Sequence, residues 1–291
     1  MKNQPKKNSE HTKSFFNEST GASAEIAQND EWIRGEVADT ARILQERNLA
    51  NANAIADPVL PADGIYVRYV KRIFDIVLSG AALLVTLPVN VVLGALIFRD
   101  VGSPLFFHQQ RSGKDLKPFD LVKFRNMTNE RDENGELLPP EERTTDLGRF
   151  VRQHSLDELL NFWSVFKGDM SLIGPRPLPV EYTPRMTERH KQRYCVRPGL
   201  ECPFINADLE ERYDYSQARF ENDIAYVETV SFFTDVKQAF RLVAMVAHRG
   251  KTNNFIGSDS HFIGYDSDGL AMSQGRLKDR ACYEREVLGK S

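Results

Sequence analysis

The sequence predicts an α+β fold, mostly helical, carried on a membrane. Three observations predict it. Residues 76–98 are 23 consecutive positions without a charge, enough for a helix to cross a bilayer. Residues 105–124 hold two extended runs joined by Ser112-Gly113-Lys114-Asp115, the pattern of a β-hairpin. Beyond them, apolar residues fall at helical spacing, first around Leu159, Phe162, Trp163 and Phe166 and again from Asn222 to Val246. The 291-residue chain has a net charge of −3, so it carries no overall basic footprint for nucleic acid. Cys195, Cys202 and Cys282 have no metal-ligand spacing and read as free thiols in a reducing compartment.

Three parts follow from composition. Residues 1–62 form an N-terminal extension, 63–250 the main domain and 251–291 a C-terminal tail. Residues 1–29 are rich in Lys, Asn, Ser, Thr and Glu and read as disordered, with no apolar core for a secretory signal. From Asp30 to Ala54, Trp32, Ile33, Val37, Ala41, Ile43 and Leu44 recur as in a short amphipathic helix. Pro58 and Pro61 then mark a linker. The tail is rich in Gly, Ser and Asp and reads as mobile or as a partner segment, with a helical signal only near residues 280–287.

Within residues 76–98, Pro88 removes one helical hydrogen bond and predicts a kink. Twelve residues before it span about 18 Å and ten after it about 15 Å, so each arm reaches roughly halfway through a bilayer. A single crossing and a helix–break–helix that re-enters the same face both fit those lengths. Arg68, Lys71 and Arg72 before the run and Arg99 and Arg111 after it leave neither flank marked as the sole cytoplasmic one. Basic flanks on both sides lean towards re-entry. Asp75 is expected near the interface, paired with a neighbouring base. Thr86 is positioned to offer a hydroxyl to the carbonyls that the proline frees.

In the hairpin, Arg111, Lys123 and Arg125 either line a polar groove or merely solvate the strands. Asp146 is expected to cap a short helix bearing Arg149 and Arg152. Ser155-Leu156-Asp157-Glu158 then reads as a capping box, with Glu158 reaching back to the serine amide and Asp157 in the first turn, where free amides favour an anion. Lys167-Gly168 ends that helix. Two adjacent acids among arginines, with Arg176 fixed between Pro175 and Pro177, suit a divalent metal and a diphosphate. The general chemistry of such a set is phosphoryl transfer.

The Ser155–Glu158 motif, followed by Lys167-Gly168-Asp169-Met170-Ser171 and Gly174-Pro175-Arg176-Pro177, resembles the active-site region of bacterial monotopic phosphoglycosyl transferases. Lys71-Arg72-Ile73-Phe74-Asp75, Gln110, Arg111, Gly113, Lys123, Phe124, Arg125 and Arg197-Pro198-Gly199 extend the similarity over about residues 71–250. Two departures stand out. Leu87 replaces the serine usual before the helix-breaking Pro88, and residues 200–211 lack the arginine of the family pattern, whose place falls near Leu209; Glu201, Asp208, Glu210 and Glu211 make the segment acidic instead.

The resemblance implies a monotopic domain with a re-entrant helix broken at Pro88 and interfacial amphipathic helices. It implies an enzyme that moves a sugar-1-phosphate from a UDP-sugar to polyprenyl phosphate and releases UMP, through a phosphosugar-aspartyl intermediate. Asp157 would be the nucleophile and Glu158 its acidic partner, both disposed to Mg²⁺, with Arg152, Arg176, Arg125 and Arg111 binding substrate. The implied location is the bacterial inner membrane, with the catalytic domain on the cytoplasmic side; a homo-oligomer is allowed. A non-catalytic membrane scaffold that keeps the fold is the alternative, supported by the acidic 200–211 segment.

Overall fold

A computed structural model describes residues 35–206, 208–248 and 261–289. The polar stretch 1–29, together with Trp32, Ile33 and residues 251–260, lies outside the described residues. Helix α1 covers Gly35–Ile55 and α2 Lys71–Val101, the latter preceded by a π-helical turn, Tyr66–Val70. Strands β1 (Phe106–Ser112) and β2 (Pro118–Phe124) form the expected hairpin, antiparallel with Phe106 opposite Phe124 and Ser112 opposite Pro118. Helix α3 is Asp146–Gln153; a 3₁₀ turn, Leu156–Leu160, leads into α4, Asn161–Lys167. Then come β3 (Ser171–Ile173), β4 (Gly199–Glu201), α5 (Tyr215–Thr229) and α6 (Phe232–His248). Strands β5 (Phe262–Tyr265) and β6 (Ala271–Ser273) and helix α7 (Arg280–Glu286) close the described chain. The predicted α+β, mostly helical class is what the chain adopts.

Helix α2 is long and apolar enough to cross a membrane by length and composition. Its middle is bare: Leu84 is 76% and Val85 77% exposed. Its two ends, however, are held by the same folded body. At the first end, Lys71 Nζ pairs with Asp235 at 2.5 Å, and Arg72 donates to the carbonyls of Val165 (2.6 Å) and Phe166 (2.7 Å), capping the end of α4. At the other, Leu93 and Ile97 are buried against Phe124 of β2 and Val151 of α3. Burying each of those side chains stabilises the attachment by about 1.5–3 kcal/mol.

Two local expectations about α2 need correction. Asp75 is not paired with a base: its Oδ1 accepts from the Ser171 hydroxyl and the Leu172 amide, both at 3.0 Å, while Lys71 goes to Asp235. Thr86 does not serve the carbonyl that Pro88 frees: its hydroxyl donates to the carbonyl of Ala82 at 2.8 Å. The carbonyl that Pro88 leaves without its usual donor is four residues back, at Leu84. A hydroxyl at 86 reaches its own i−4 carbonyl first.

The C-terminal segment is no loose tail where it is described. Ile263, Met272 and Cys282 close over Ala41 and Leu44 of α1, and Phe262 and Tyr265 pack with Tyr182 and Phe220. Asn48 of α1 donates to the Tyr265 carbonyl at 2.8 Å. Gly264 has φ +149°, and a Cβ there would lie 2.8 Å from Leu44 Cβ, so only glycine lets β5 lie this close to α1. The polar residues that dominate the composition sit in the turn, where Asp266 accepts the amides of Asp268 and Leu270.

Candidate active site

Leucine burial sets the acid pair in place. Leu156, Leu159 and Leu160 pack onto the cluster of Leu93, Ile97, Phe124 and Val151. With those side chains committed to the core, Glu158 turns the other way, towards β2 and the Gly174–Pro177 segment, and the Lys123 charge acts on Asp157 beside it. The expected capping box does not form. Ser155 is left-handed (φ 54°, ψ 29°), with no side-chain cap. The turn is 3₁₀, closed by the Glu158 amide on the Ser155 carbonyl at 3.2 Å. One element earlier, the cap of α3 is Thr145 rather than Asp146; its hydroxyl accepts from the Gly148 amide at 2.9 Å. Gly168, with φ 107°, ends α4 as expected.

Glu158 reaches across the cleft instead of back along its helix. Its Oε1 accepts from Lys123 Nζ at 2.8 Å and from Arg176. Arg176 also meets Glu201 Oε2 at 3.3 Å, and Glu201 in turn accepts from Arg219 of α5. Behind them, Arg193 pairs with Asp223 at 2.5 Å and donates to the Arg176 carbonyl at 2.8 Å. Alternating charges thus run from β2 into the protein. Glycines permit it: a Cβ on Gly199 would fall 2.1 Å from the Gly174 amide nitrogen. Their bare backbones let β3 and β4 pair in parallel, Ile173 opposite Glu201, and bring Arg176 to the acids.

The two adjacent carboxyls therefore live in opposite environments. Burial would raise Glu158, but Arg176 and Lys123 outweigh it and hold the carboxyl well below the usual range. Asp157 is 6% exposed, and its carboxylate takes no side-chain hydrogen bond among the described residues. Burial pushes its pKa up; the nearby charge of Glu158 adds to this, while Lys123 and Arg152 act against it. Neighbouring acids with divergent affinities for a proton are a common mark of divided roles.

The other expected site residues separate into two groups. Arg111 lines the cleft with Lys123, Glu158 and Arg176, while Arg152 stands exposed on α3 with its field on Asp157. Arg125 is not in the cleft: it is buried and donates to the carbonyl of Val101, at the end of α2. Arg125 lies one residue past the end of β2, so the alternation that turns Leu121 and Lys123 towards the cleft does not carry on to it. Asn161 was not anticipated. It is 3% exposed, lines the cleft one turn after Asp157, and its Oδ1 has no partner. Its i+4 spacing from Asp157 gave no signal, because Leu156–Leu160 winds as a 3₁₀ turn, in which residues three apart share a face.

No group of three or more His, Cys, Asp or Glu suited to a metal occurs among the described residues. A Mg²⁺ held mainly by ligand phosphates and one or two carboxylates needs no such cage. The donor set fits that mode, because Asp157 has no ion pair among the described residues.

A family model of bacterial sugar transferases matches residues 66–249. The chain belongs to the bacterial sugar transferase family. Among its relatives, the uncharacterized sugar transferase EpsL of Bacillus subtilis is 44% identical over 168 residues, covering 57% of this chain and 82% of that protein. The UDP-glucose:undecaprenyl-phosphate glucose-1-phosphate transferase of Klebsiella pneumoniae is 31% identical over 214 residues, 70% of this chain and 46% of that one. The UDP-N-acetylgalactosamine-undecaprenyl-phosphate N-acetylgalactosaminephosphotransferase of Aeromonas hydrophila is 30% identical over 185 residues, 61% of this chain and 44% of that one. This sugar transferase thus spans less than half the length of those last two relatives. Its matched region contains α2, the acid pair and the whole charge network, but not the α1–β5–β6–α7 unit.

Proposed function

We propose that this sugar transferase moves a sugar-1-phosphate from a UDP-sugar to polyprenyl phosphate in two steps, with Asp157 as nucleophile. The observation that carries the reading is the contrast within one turn: Glu158 is locked between Lys123 and Arg176, while Asp157 beside it has no ion pair among the described residues. In the first step an Asp157 Oδ attacks the donor's β-phosphorus. The bond from that phosphorus to the oxygen bridging to the α-phosphate breaks, and UMP leaves with the bridging electron pair. In the second, an oxygen of the lipid phosphate attacks the same phosphorus, freeing the Asp157 carboxylate and giving a lipid diphosphate sugar. Arg111, Lys123 and Arg176 hold the charged oxygens, and Arg152 stands at the rim. Mg²⁺, held by Asp157 and the diphosphate, would offset the charge of the incoming donor when bound.

The acceptor is confined to a bilayer, so the cleft has to lie at one. The exposed middle of α2 supports membrane attachment, as do Phe233 and Phe240 on the outer face of α6. Both ends of α2 are fastened to a single folded body, which supports a helix that enters and leaves by the same face. Cysteines introduced at Arg68 and Arg99 are therefore expected to label from the same, cytoplasmic, side of intact vesicles; labelling from opposite sides would rule re-entry out. Glu201 also weakens the scaffold alternative, because it serves as counter-ion to Arg176 and Arg219. The activity is tested with full-length protein, Mg²⁺, polyprenyl phosphate and a panel of UDP-sugars. UMP release from at least one donor, lost in Asp157→Asn, is expected; no release from any donor would return the scaffold reading.

A further inference from the structure

Helix α5 serves the site with one face and the β5–β6 hairpin with the other. Two residues turn an α-helix by about 200°, so Gln217 and Glu221 lie nearly opposite Arg219 and Asp223. The second pair belongs to the charge network: Arg219 meets Glu201, which meets Arg176, and Asp223 pairs with Arg193. The first pair is held by the hairpin. Gln217 Oε1 accepts from the Ala271 amide at 2.8 Å, and His190 bridges Glu221 (3.0 Å) and the Tyr265 hydroxyl (2.7 Å). The start of α5 is held from outside as well. Asp214 is a residue type that ordinarily caps its own helix, yet it makes no cap bond; its carboxylate accepts from the Ser273 amide at 2.6 Å. The Ser273 hydroxyl, from β6, instead accepts from the Ser216 amide at 3.0 Å and so caps α5. Both serines are buried, which keeps water from taking over that amide. A second link runs through Leu178, two residues after Arg176, which packs on the cluster of Phe262, Tyr265 and Ala271. The family match ends at residue 249, so the hairpin that touches both supports of Arg176 lies outside it.

We propose that the β5–β6 hairpin positions Arg176 for the diphosphate of the donor, with Ser273 as the positioning residue. This rests on the reading that the donor is a nucleoside diphosphate sugar. Ser273 fixes the first turn of α5, α5 fixes Arg219, and Arg219 and Arg176 share the carboxylate of Glu201. The Arg176 side chain is 37% exposed, so its guanidinium is oriented by Glu158 and Glu201 more than by packing. A displacement of Glu201 is therefore passed on to Arg176. Recognition of phosphate oxygens by a planar guanidinium depends on its orientation, so a fork that swings loses part of its hold on them.

A double-mutant cycle read on UDP affinity tests this, in full-length protein in lipid nanodiscs and well below the melting temperature of every variant. Ser273→Ala removes the acceptor that caps α5 and is expected to weaken UDP binding by about three- to thirtyfold. Ser216→Ala keeps the amide that Ser273 accepts and is expected to bind UDP like the parent. In Arg176→Ala, which itself weakens UDP, adding Ser273→Ala is expected to change the affinity no further, because the residue it acts through is gone. Gln217→Met, which breaks the neighbouring bond between α5 and β6, carries the same cycle should Ser273→Ala not fold. The proposal is overturned if Ser273→Ala binds UDP like the parent, or if Ser216→Ala weakens UDP as much as Ser273→Ala does. It is equally overturned if Ser273→Ala weakens UDP by the same factor with and without Arg176, or if the parent does not bind UDP. A parent that binds UDP but releases no UMP would defeat the transfer reading alone, and the cycle would still decide the role of Ser273.

Discussion

Two sides of one helical turn obey opposite rules. On one side Glu158 belongs to a chain of charges, Lys123–Glu158–Arg176–Glu201–Arg219, in which every member has an opposite charge beside it. On the other, Asp157 and Asn161 are more deeply buried than Glu158 and have no side-chain partners among the described residues. The satisfied side costs little to keep and ties together β2, the 3₁₀ turn, β4 and α5. The unsatisfied side is tolerated only because the satisfied side fixes its geometry, and a ligand can use what the fold leaves open.

Breaking the unsatisfied side should be the more drastic for chemistry and the milder for stability. Asp157→Asn is expected to abolish UMP release while the melting temperature stays level or rises, because a carboxylate whose burial disfavours ionisation is replaced by a neutral group. A coupled fall in melting temperature would contradict the contrast. Breaking the satisfied side should do the reverse. Arg193→Met leaves Asp223, fully buried, without its main counter-ion, and a loss of about 3–5 kcal/mol in unfolding free energy is expected by denaturant titration. A loss within experimental error would mean the network does not hold the site.

A smaller effect sharpens the comparison through pH. Glu158 is held below its ordinary value of 4.5, so the stability it contributes is present above that pH and is lost as pH falls further, towards the lowered value. Glu158→Gln should cost about 1–3 kcal/mol at neutral pH and flatten the acid-side decline. Asp157 has the opposite sign. Its value lies above the ordinary 3.8, so the fold gains from its protonation while the nucleophile is lost. The acid limb of the pH–rate profile should therefore lie above 3.8, in a range where Glu158 still stabilises the fold.

How far this was legible follows the same division. Asp157, Arg176, Arg111 and the hairpin could be read from motif and turn chemistry, because their positions depend on neighbours in sequence. Glu158 was misread as a cap because its actual partners, Lys123 and Arg176, lie 35 and 18 residues away. The acidic 200–211 segment supported the scaffold reading for the same reason: the counter-ion of its Glu201, Arg219, comes from α5, on another element. Arg125 has the residue type of a substrate ligand and is spent on the end of α2. The C-terminal unit was hidden by composition, since a few residues, Phe262, Ile263, Tyr265 and Met272, provide its core among many polar ones. Asn161 could not be weighed at all until the fold set it at the edge of a cleft.

The most direct test of the central claim is to trap the first step. Full-length protein is mixed with Mg²⁺ and a turned-over UDP-sugar without lipid acceptor, quenched in acid and mapped by peptide mass spectrometry. The account predicts UMP in amounts matching the enzyme and a phosphosugar adduct on Asp157 that disappears on adding polyprenyl phosphate. UMP release that requires the lipid, with no adduct at Asp157 at any time, would contradict it.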